Sequence, residues 1–303
     1  MAEGELERAR PVVVLTALPL EHEAVRVHLG NPREVPAEEI RFLVGSVRGV
    51  QCPVVLAQTG PGNLAAALCV QRAQDQFSPR AVFFVGVAGS LKAEVRLGDV
   101  VVGTKIYAYD GVKYLGDEVL VRPDGGAAPV ALEQTARHAL QGGAWWVRLP
   151  RAGGREAPQV HFKPIASGEA VLSSHSAELK DRLRRNYNDA VAVDMESAGL
   201  AAAGTRGGVE VMAIRGISDV TDEHKAAADA AGWQQRAAGH AAAACLEVLA
   251  ALPADGENEV ADDPSATRSH ARGAVQHNHA QAGGTVYAVQ HGDLNLGPGA
   301  TER

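Results

Sequence analysis

The sequence predicts an α/β protein: a three-layer α/β/α sandwich around a mixed, largely parallel sheet. Three observations carry that prediction. Short, fully apolar runs such as Pro11–Ala17 and Ala81–Gly86 recur along the chain, and strands apolar on both sides belong to sheets covered on both faces. Ala- and Leu-rich segments with helical spacing alternate with them, the order of a sheet whose crossovers are helices. The composition fits, because 46% of the 303 residues are hydrophobic and 21% charged, enough for a sizeable core. With aromatics at only 4%, that core is built mainly from Ala, Val and Leu.

Pro11–Ala17 is the first strand, a run of Val and Leu. A helix follows over Glu21–Leu29, where Val25 and Leu29 share a face. Arg41–Val47 and Pro53–Gln58 read as strands around a turn near Gly49. Asn63 caps a helix that runs to about Gln76. Ala81–Gly86 and Gly98–Ala108 hold the next strands. Val121–Pro158, rich in Gly, Pro and Arg and carrying Trp145 and Trp146, reads as an irregular excursion with one helix near Glu133–Leu140. Val160–Ala166, Ala190–Val193 and Val209–Ile214 complete the strands, and helices are expected over Ser176–Arg185, Met195–Thr205 and Ala226–Leu252.

The chain thus divides into a flexible N-terminus (1–10), one large domain (11–252), an acidic linker (253–272) and a tail (273–303). The linker holds Asp255, Glu257, Glu259, Asp262 and Asp263 with almost no large apolar residue, a composition that does not fold alone. In the tail, Ala274-Val-Gln-His-Asn recurs fourteen positions later as Ala288-Val-Gln-His-Gly. Either a short β-type association module or simple disorder fits so small a segment. His277 and His279 lack acids or cysteines at ligand spacing, so no metal is expected. Cys52, Cys69 and Cys245 are odd in number and widely spaced, which suits buried thiols in a reducing compartment. The acidic N-terminus carries no apolar signal core, and a cytoplasmic location is expected. The net charge of −7 leaves no protein-wide basic footprint for nucleic acid, and no apolar run is long enough to span a bilayer.

The residues that carry chemistry cluster in two blocks, Val193-Asp194-Met195-Glu196-Ser197-Ala198 and Ile214-Arg215-Gly216-Ile217-Ser218-Asp219-Val220. Each is expected at the exit of an apolar strand, where α/β sheets bind ligands. Acids after strands also cap helices, so the pattern alone leaves both roles open.

These blocks resemble the purine nucleoside phosphorylase and uridine phosphorylase superfamily, with the methylthioadenosine/S-adenosylhomocysteine nucleosidases as the nearest pattern. Further blocks stand in the family's order: Thr16-Ala17-Leu18-Pro19-Leu20-Glu21, Thr59-Gly60-Pro61-Gly62-Asn63, Gly86-Val87-Ala88-Gly89-Ser90, Leu97-Gly98-Asp99-Val100-Val101-Val102 and Ala166-Ser167-Gly168-Glu169-Ala170-Val171. Together they cover roughly residues 11–252 and imply a nucleoside phosphorylase-like fold.

The resemblance implies cleavage of the N-glycosidic bond of a purine nucleoside. Asp219 then protonates the leaving base at N7, oriented by Ser218, and must be partly buried to hold its proton near neutrality. Glu196 binds ribose hydroxyls and Met195 packs on the sugar. Glu21 activates water beside Arg215, with Glu23 as the rival for that role. Gly86, Val87, Ala88 and Gly89 allow close approach of backbone to ligand, and Val171 and Leu172 line the base pocket. Asp194 stands where relatives often have Glu. Three departures matter: Val87 replaces a small hydroxyl residue, Val171 replaces an aromatic that stacks on the purine, and the phosphate-binding arginine of hexameric phosphorylases is missing. Trp233 is a candidate for shaping the pocket, or a core residue.

The resemblance therefore implies a hydrolase without metal or redox cofactor, releasing adenine from methylthioadenosine or S-adenosylhomocysteine. Phosphorolysis, with phosphate as co-substrate, is the first alternative. An AMP or ATP nucleosidase controlled through the tail is the second. A homo-oligomer, by preference a dimer, is expected, with a possible protein partner at the tail.

Overall fold

The structure, a computed structural model, describes residues 9–37, 39–116, 118–149, 158–170, 177–220 and 232–254. The chain divides into two units, Met1–Glu257 and Asn258–Arg303, and the described residues belong to the first. Most of the linker, the tail, Val171 and Leu172 lie outside the described residues.

Twelve strands are described: β1 (Val12–Thr16), β2 (Leu29–Ala37), β3 (Ile40–Val47), β4 (Val54–Gln58), β5 (Ala81–Ser90), β6 (Val100–Ala108), β7 (Val112–Leu115), β8 (Glu118–Val121), β9 (Asp124–Ala127), β10 (Val160–Ser167), β11 (Ala192–Asp194) and β12 (Glu210–Val220). Six α-helices stand among them: α1 (Pro19–Arg26), α2 (Asn63–Phe77), α3 (Val130–Leu140), α4 (Ala177–Asn186), α5 (Ser197–Gly207) and α6 (Trp233–Ala250). A 3-10 segment, Gln141–Arg148, follows α3.

The main sheet has ten strands in the order β11-β10-β6-β12-β5-β1-β4-β3-β2, with β9 paired to β6. It is mixed. The run β4-β1-β5-β12 is parallel, as is β6-β10-β11, whereas β12 meets β6 antiparallel. An antiparallel pairing of β11 with β5 closes five strands into a ring. The apolar strands serve two cores. Val12 and Val14 pack in a cluster with residues of α3 and α6, while Val13 and Leu15 pack with residues of α2 and α5. Alternate side chains point to opposite faces of a strand, so a strand covered by helices on both sides is apolar at every position. This is the three-layer sandwich.

Several boundaries differ from the sequence expectation. The first helix spans Pro19–Arg26, and Leu29 begins β2 rather than ending the helix. β2 carries Pro32 and Pro36 and is the edge strand, the place in a sheet where missing N–H groups are tolerated. A short β7–β8 ribbon, missed by the sequence reading, leads into the expected excursion and ends at its first residue, Val121; β9 lies within the excursion, and Trp145 is fully buried. Strand β12 runs six residues past Ile214 to Val220. Arg215, Ser218 and Asp219 thus lie inside a strand, not beyond its exit. β12 follows β5 across this stretch, pairing Arg215 with Gly86 and Asp219 with Gly89, with a register shift between Ile217 and Asp219. The last described helix begins at Trp233. Among the described residues, no helix is long and apolar enough to cross a membrane.

Candidate active site

The ring brings the chemical blocks side by side. Gly89 of β5 pairs with Val193 of β11 on one side and with Asp219 of β12 on the other. A cavity of about 190 Å³ opens there. Its wall includes Glu21, Val87, Ala88, Gly89, Met195, Glu196, Ser218 and Asp219, all named by the sequence, and Arg215 lies behind it with no exposed surface. Two larger hollows, of about 1160 and 490 Å³, hold arginines such as Arg10 but no cluster of carboxylates. Size therefore does not decide where the chemistry is; the grouping of acids does.

Glu21 and Glu23 separate clearly. Glu21 is in the first turn of α1 and only 2% exposed. Its Oε2 accepts hydrogen bonds from the backbone N–H of Ala17 and Leu18, each 2.8 Å, and its Oε1 from Val87 N–H at 2.8 Å. Glu23 is exposed and pairs with Arg26 at 2.6 Å. Burial raises the pKa of Glu21 above the ordinary value, against the pull of Arg215 and the three N–H donors.

Arg215 is the hub of the buried charges. Its Nε lies 2.8 Å from Asp194 Oδ2 and its Nη2 3.2 Å from Glu196 Oε2. Nη2 also donates to Ser197 Oγ at 3.3 Å, and that hydroxyl donates in turn to Asp194. A Cβ on Gly86 would stand 2.5 Å from Glu21 Oε1 and 2.6 Å from Arg215 Nη1, so these two groups meet over the bare glycine backbone. Burial disfavours the guanidinium charge, but Asp194, Glu196 and Glu21 together raise its pKa. Burial pushes Glu196 up to about 7, with Arg215 opposing and Asp194 and Glu21 adding to the rise. Three acids thus share one fixed cation.

Asp219 is 4% exposed and accepts a 3.3 Å hydrogen bond from Ser218 Oγ. Met195 lines the cavity beside Glu196. Trp233 does not line it among the described residues. Its ring packs toward Gly98, where an added Cβ would lie 3.0 Å away, and Arg236 sits over it at 5.1 Å. The wall holds Gln234 instead, with Leu18 and Pro61, and nothing in the local sequence pattern singled out Gln234. Among the described residues, no three His, Cys, Asp or Glu side chains form a metal-binding group.

Residues 11–250 match the family model described as the phosphorylase superfamily. The 5′-methylthioadenosine/S-adenosylhomocysteine nucleosidase of Maridesulfovibrio salexigens is 25% identical over 228 residues, covering 74% of this chain and 92% of that protein. The ATP nucleosidase Cap17 of Escherichia coli is 27% identical over 248 residues, again 74% of this chain but only 48% of that protein. Among solved structures, the Neisseria meningitidis 5′-methylthioadenosine/S-adenosylhomocysteine nucleosidase in complex with methylthio-immucillin-A aligns with a TM-score of 0.68 at 25% identity, covering 80% of this chain and all of that one. With the family model spanning most of its length, this chain belongs to the phosphorylase superfamily.

Proposed function

We propose that this protein hydrolyses the N-glycosidic bond of an adenine nucleoside of the methylthioadenosine or S-adenosylhomocysteine kind, and releases the base. The observation that carries the reading is the convergence of Glu21, Glu196 and Asp219 on one cavity backed by buried Arg215. Bond breaking leaves an electron-deficient ribose and an electron-rich base. Asp219 gives its proton to purine N7, so the C1′–N9 electron pair can leave with the base. Glu196 accepts hydrogen bonds from ribose hydroxyls, and the acid-rich wall stabilises positive charge developing on the sugar. Glu21 takes a proton from water as its oxygen bonds to C1′, with Val87 N–H and Arg215 fixing the carboxylate. The base-reading backbone belongs to the segment after Ala170, together with Val171 and Leu172. The reading requires no metal or redox cofactor. A reducing cytoplasm suits the three buried free thiols.

Water is favoured over phosphate because, among the described residues, the cavity wall carries no Lys or Arg and Arg215 behind it already faces Asp194 and Glu196; phosphorolysis needs a cation open to an anion. The likeness to an ATP nucleosidase supports a second reading, a nucleotide substrate. We also read the enzyme as a homo-oligomer, by preference a dimer. Leu64 (84% exposed) and Leu68 lie one turn apart on α2, and Tyr114 stands out on the β7–β8 ribbon, apolar surface that a second copy would cover.

The test is incubation with methylthioadenosine, S-adenosylhomocysteine, adenosine, inosine, AMP and ATP, with and without phosphate, followed by product analysis. Phosphate-independent adenine release is expected, and Asp219→Asn lowers kcat by roughly 100-fold or more with the fold intact. Full activity in that variant sinks the assignment, and formation of ribose 1-phosphate selects phosphorolysis.

A further inference from the structure

The N-terminus of α5 is capped in an unusual division of labour. Its first residue is Ser197 and its N-cap is Glu196, yet the Glu196 side chain makes no capping hydrogen bond. Other side chains take the amides it would serve. Asp194 Oδ1 accepts from Ser197 N–H at 3.1 Å, Ser167 Oγ from Ala198 N–H at 2.9 Å, and Asn63 Oδ1 from Gly199 N–H at 2.8 Å. The next amide, Leu200, bonds the Glu196 carbonyl at 3.1 Å. An acidic N-cap side chain ordinarily turns back onto the second or third amide of its helix. Here both are occupied, and the Glu196 carboxylate faces Gly62 N–H at 3.3 Å and Arg215 at 3.2 Å on the cavity wall.

Asn63 is the longest reach in this arrangement. It begins α2, more than a hundred residues before α5 in sequence. Its Oδ1 also accepts from Ser167 Oγ at 3.2 Å, while its Nδ2 and backbone N–H both donate to Glu169 Oε1, at 3.0 and 3.1 Å. A side chain at Gly199 would run into the Asn63 backbone carbonyl, so a glycine is what lets the two helix starts come this close.

We propose that Asn63, aided by Ser167, is a positioning residue: it occupies the α5 amide that Glu196 would otherwise cap and so keeps the Glu196 carboxylate turned into the cavity. The inference rests on the reading of Glu196 as the ribose contact. Without Asn63, the Glu196 carboxylate swings back to Gly199 N–H and the sugar loses its partner, while the base pocket is untouched.

The experiment compares KM for whichever of methylthioadenosine, S-adenosylhomocysteine, adenosine, AMP or ATP is turned over fastest with the inhibition constant of free adenine, which has no ribose. Asn63→Ala is expected to raise KM about tenfold, the order of one lost cap contact, and to leave the adenine constant within about twofold. Asn63→Asp combined with Glu169→Gln keeps the acceptor for Gly199 and restores the lateral hydrogen bond with its direction reversed; it is expected to bring KM back to within about threefold of the wild type. If Asn63→Ala raises both constants in proportion, or neither, the inference is overturned while the functional reading stands. A wild-type protein that releases base from none of the five defeats the reading, and this inference with it.

Discussion

Burying three acids around one guanidinium has a measurable consequence at the scale of single residues. Glu196 holds its proton up to about pH 7, whereas an unburied glutamate has a value of 4.5. Between those values the native state binds more protons than the unfolded chain, so the contribution of Glu196 to stability falls as pH rises through that window. A glutamine does not titrate. The Tm of Glu196→Gln, taken relative to wild type, is therefore expected to increase from pH 5 to pH 8, by about 3 °C or more. A difference that stays constant or shrinks over that range contradicts the buried-acid picture. Gly86 provides a second test. An added methyl group would press on Glu21 and Arg215, and both are fully packed. Gly86→Ala is expected to lower kcat/KM by about 100-fold, because the Glu21 carboxylate proposed to activate water is displaced, at a stability cost of about 1–3 kcal/mol read from urea midpoints. The residues in these tests were visible in the sequence because they stand in short contiguous blocks. Asn63 and Ser167 also stand in such blocks, but nothing local marks them as partners of the α5 start, and Gln234 stands in none: these roles arise from contacts between segments far apart in the chain, and no local period encodes those contacts.

Single elements show where local pattern stops being sufficient. The apolar strands were legible because helices cover both their faces. β2 was not, since an edge strand half in solvent has neither an apolar run nor a clean alternation, and its prolines argue against a strand until its edge position is known. β12 was read too short because charged Arg215 and then Gly216 break the apolar run, although glycine is required at 216: a Cβ would collide with the backbone carbonyl of Ala237 in α6. The start of β6 shows how a polar residue fixes an element. Asp99 accepts hydrogen bonds from Arg96 N–H, Gln159 N–H and His161 Nε2, each 2.9 Å, and so joins the start of β6 to that of β10. Burial works to raise its pKa, but these partners bring it below the usual carboxylate value. Its stabilisation is thus present above the unfolded-state pKa and lost as pH falls through the lower folded value. Asp99→Ala is expected to cost about 3 kcal/mol at pH 7 and less under acidic conditions, as urea unfolding at the two pH values reports. An equal cost at both would mean that the ionised carboxylate is not the source.

For the whole molecule, the remaining question is what residues 258–303 add to the first unit. Among the described residues, both large hydrophobic clusters draw their members from between Ala9 and Leu252, and a chain ending at Glu257 keeps all of them. Residues 258–303 have a different composition. From Ala274 to Gly299 the sequence has a single charged side chain, Asp293, and two Ala-Val-Gln-His copies with β-branched and amide residues. Near-neutral segments of this kind are suited to pair with copies of themselves, since little charge opposes stacking and the amide side chains can bond along the stack. Self-association through the tail would raise the local concentration of catalytic domains. Deleting Asn258–Arg303 is expected to leave Tm within about 2 °C of the full chain, as the clusters of described residues keep all their members. It should also reduce the assembly size seen by light scattering and lower base release at dilute protein concentration. A truncated protein with the same mass distribution and the same activity as the full chain would remove the tail from any account of how the enzyme is controlled.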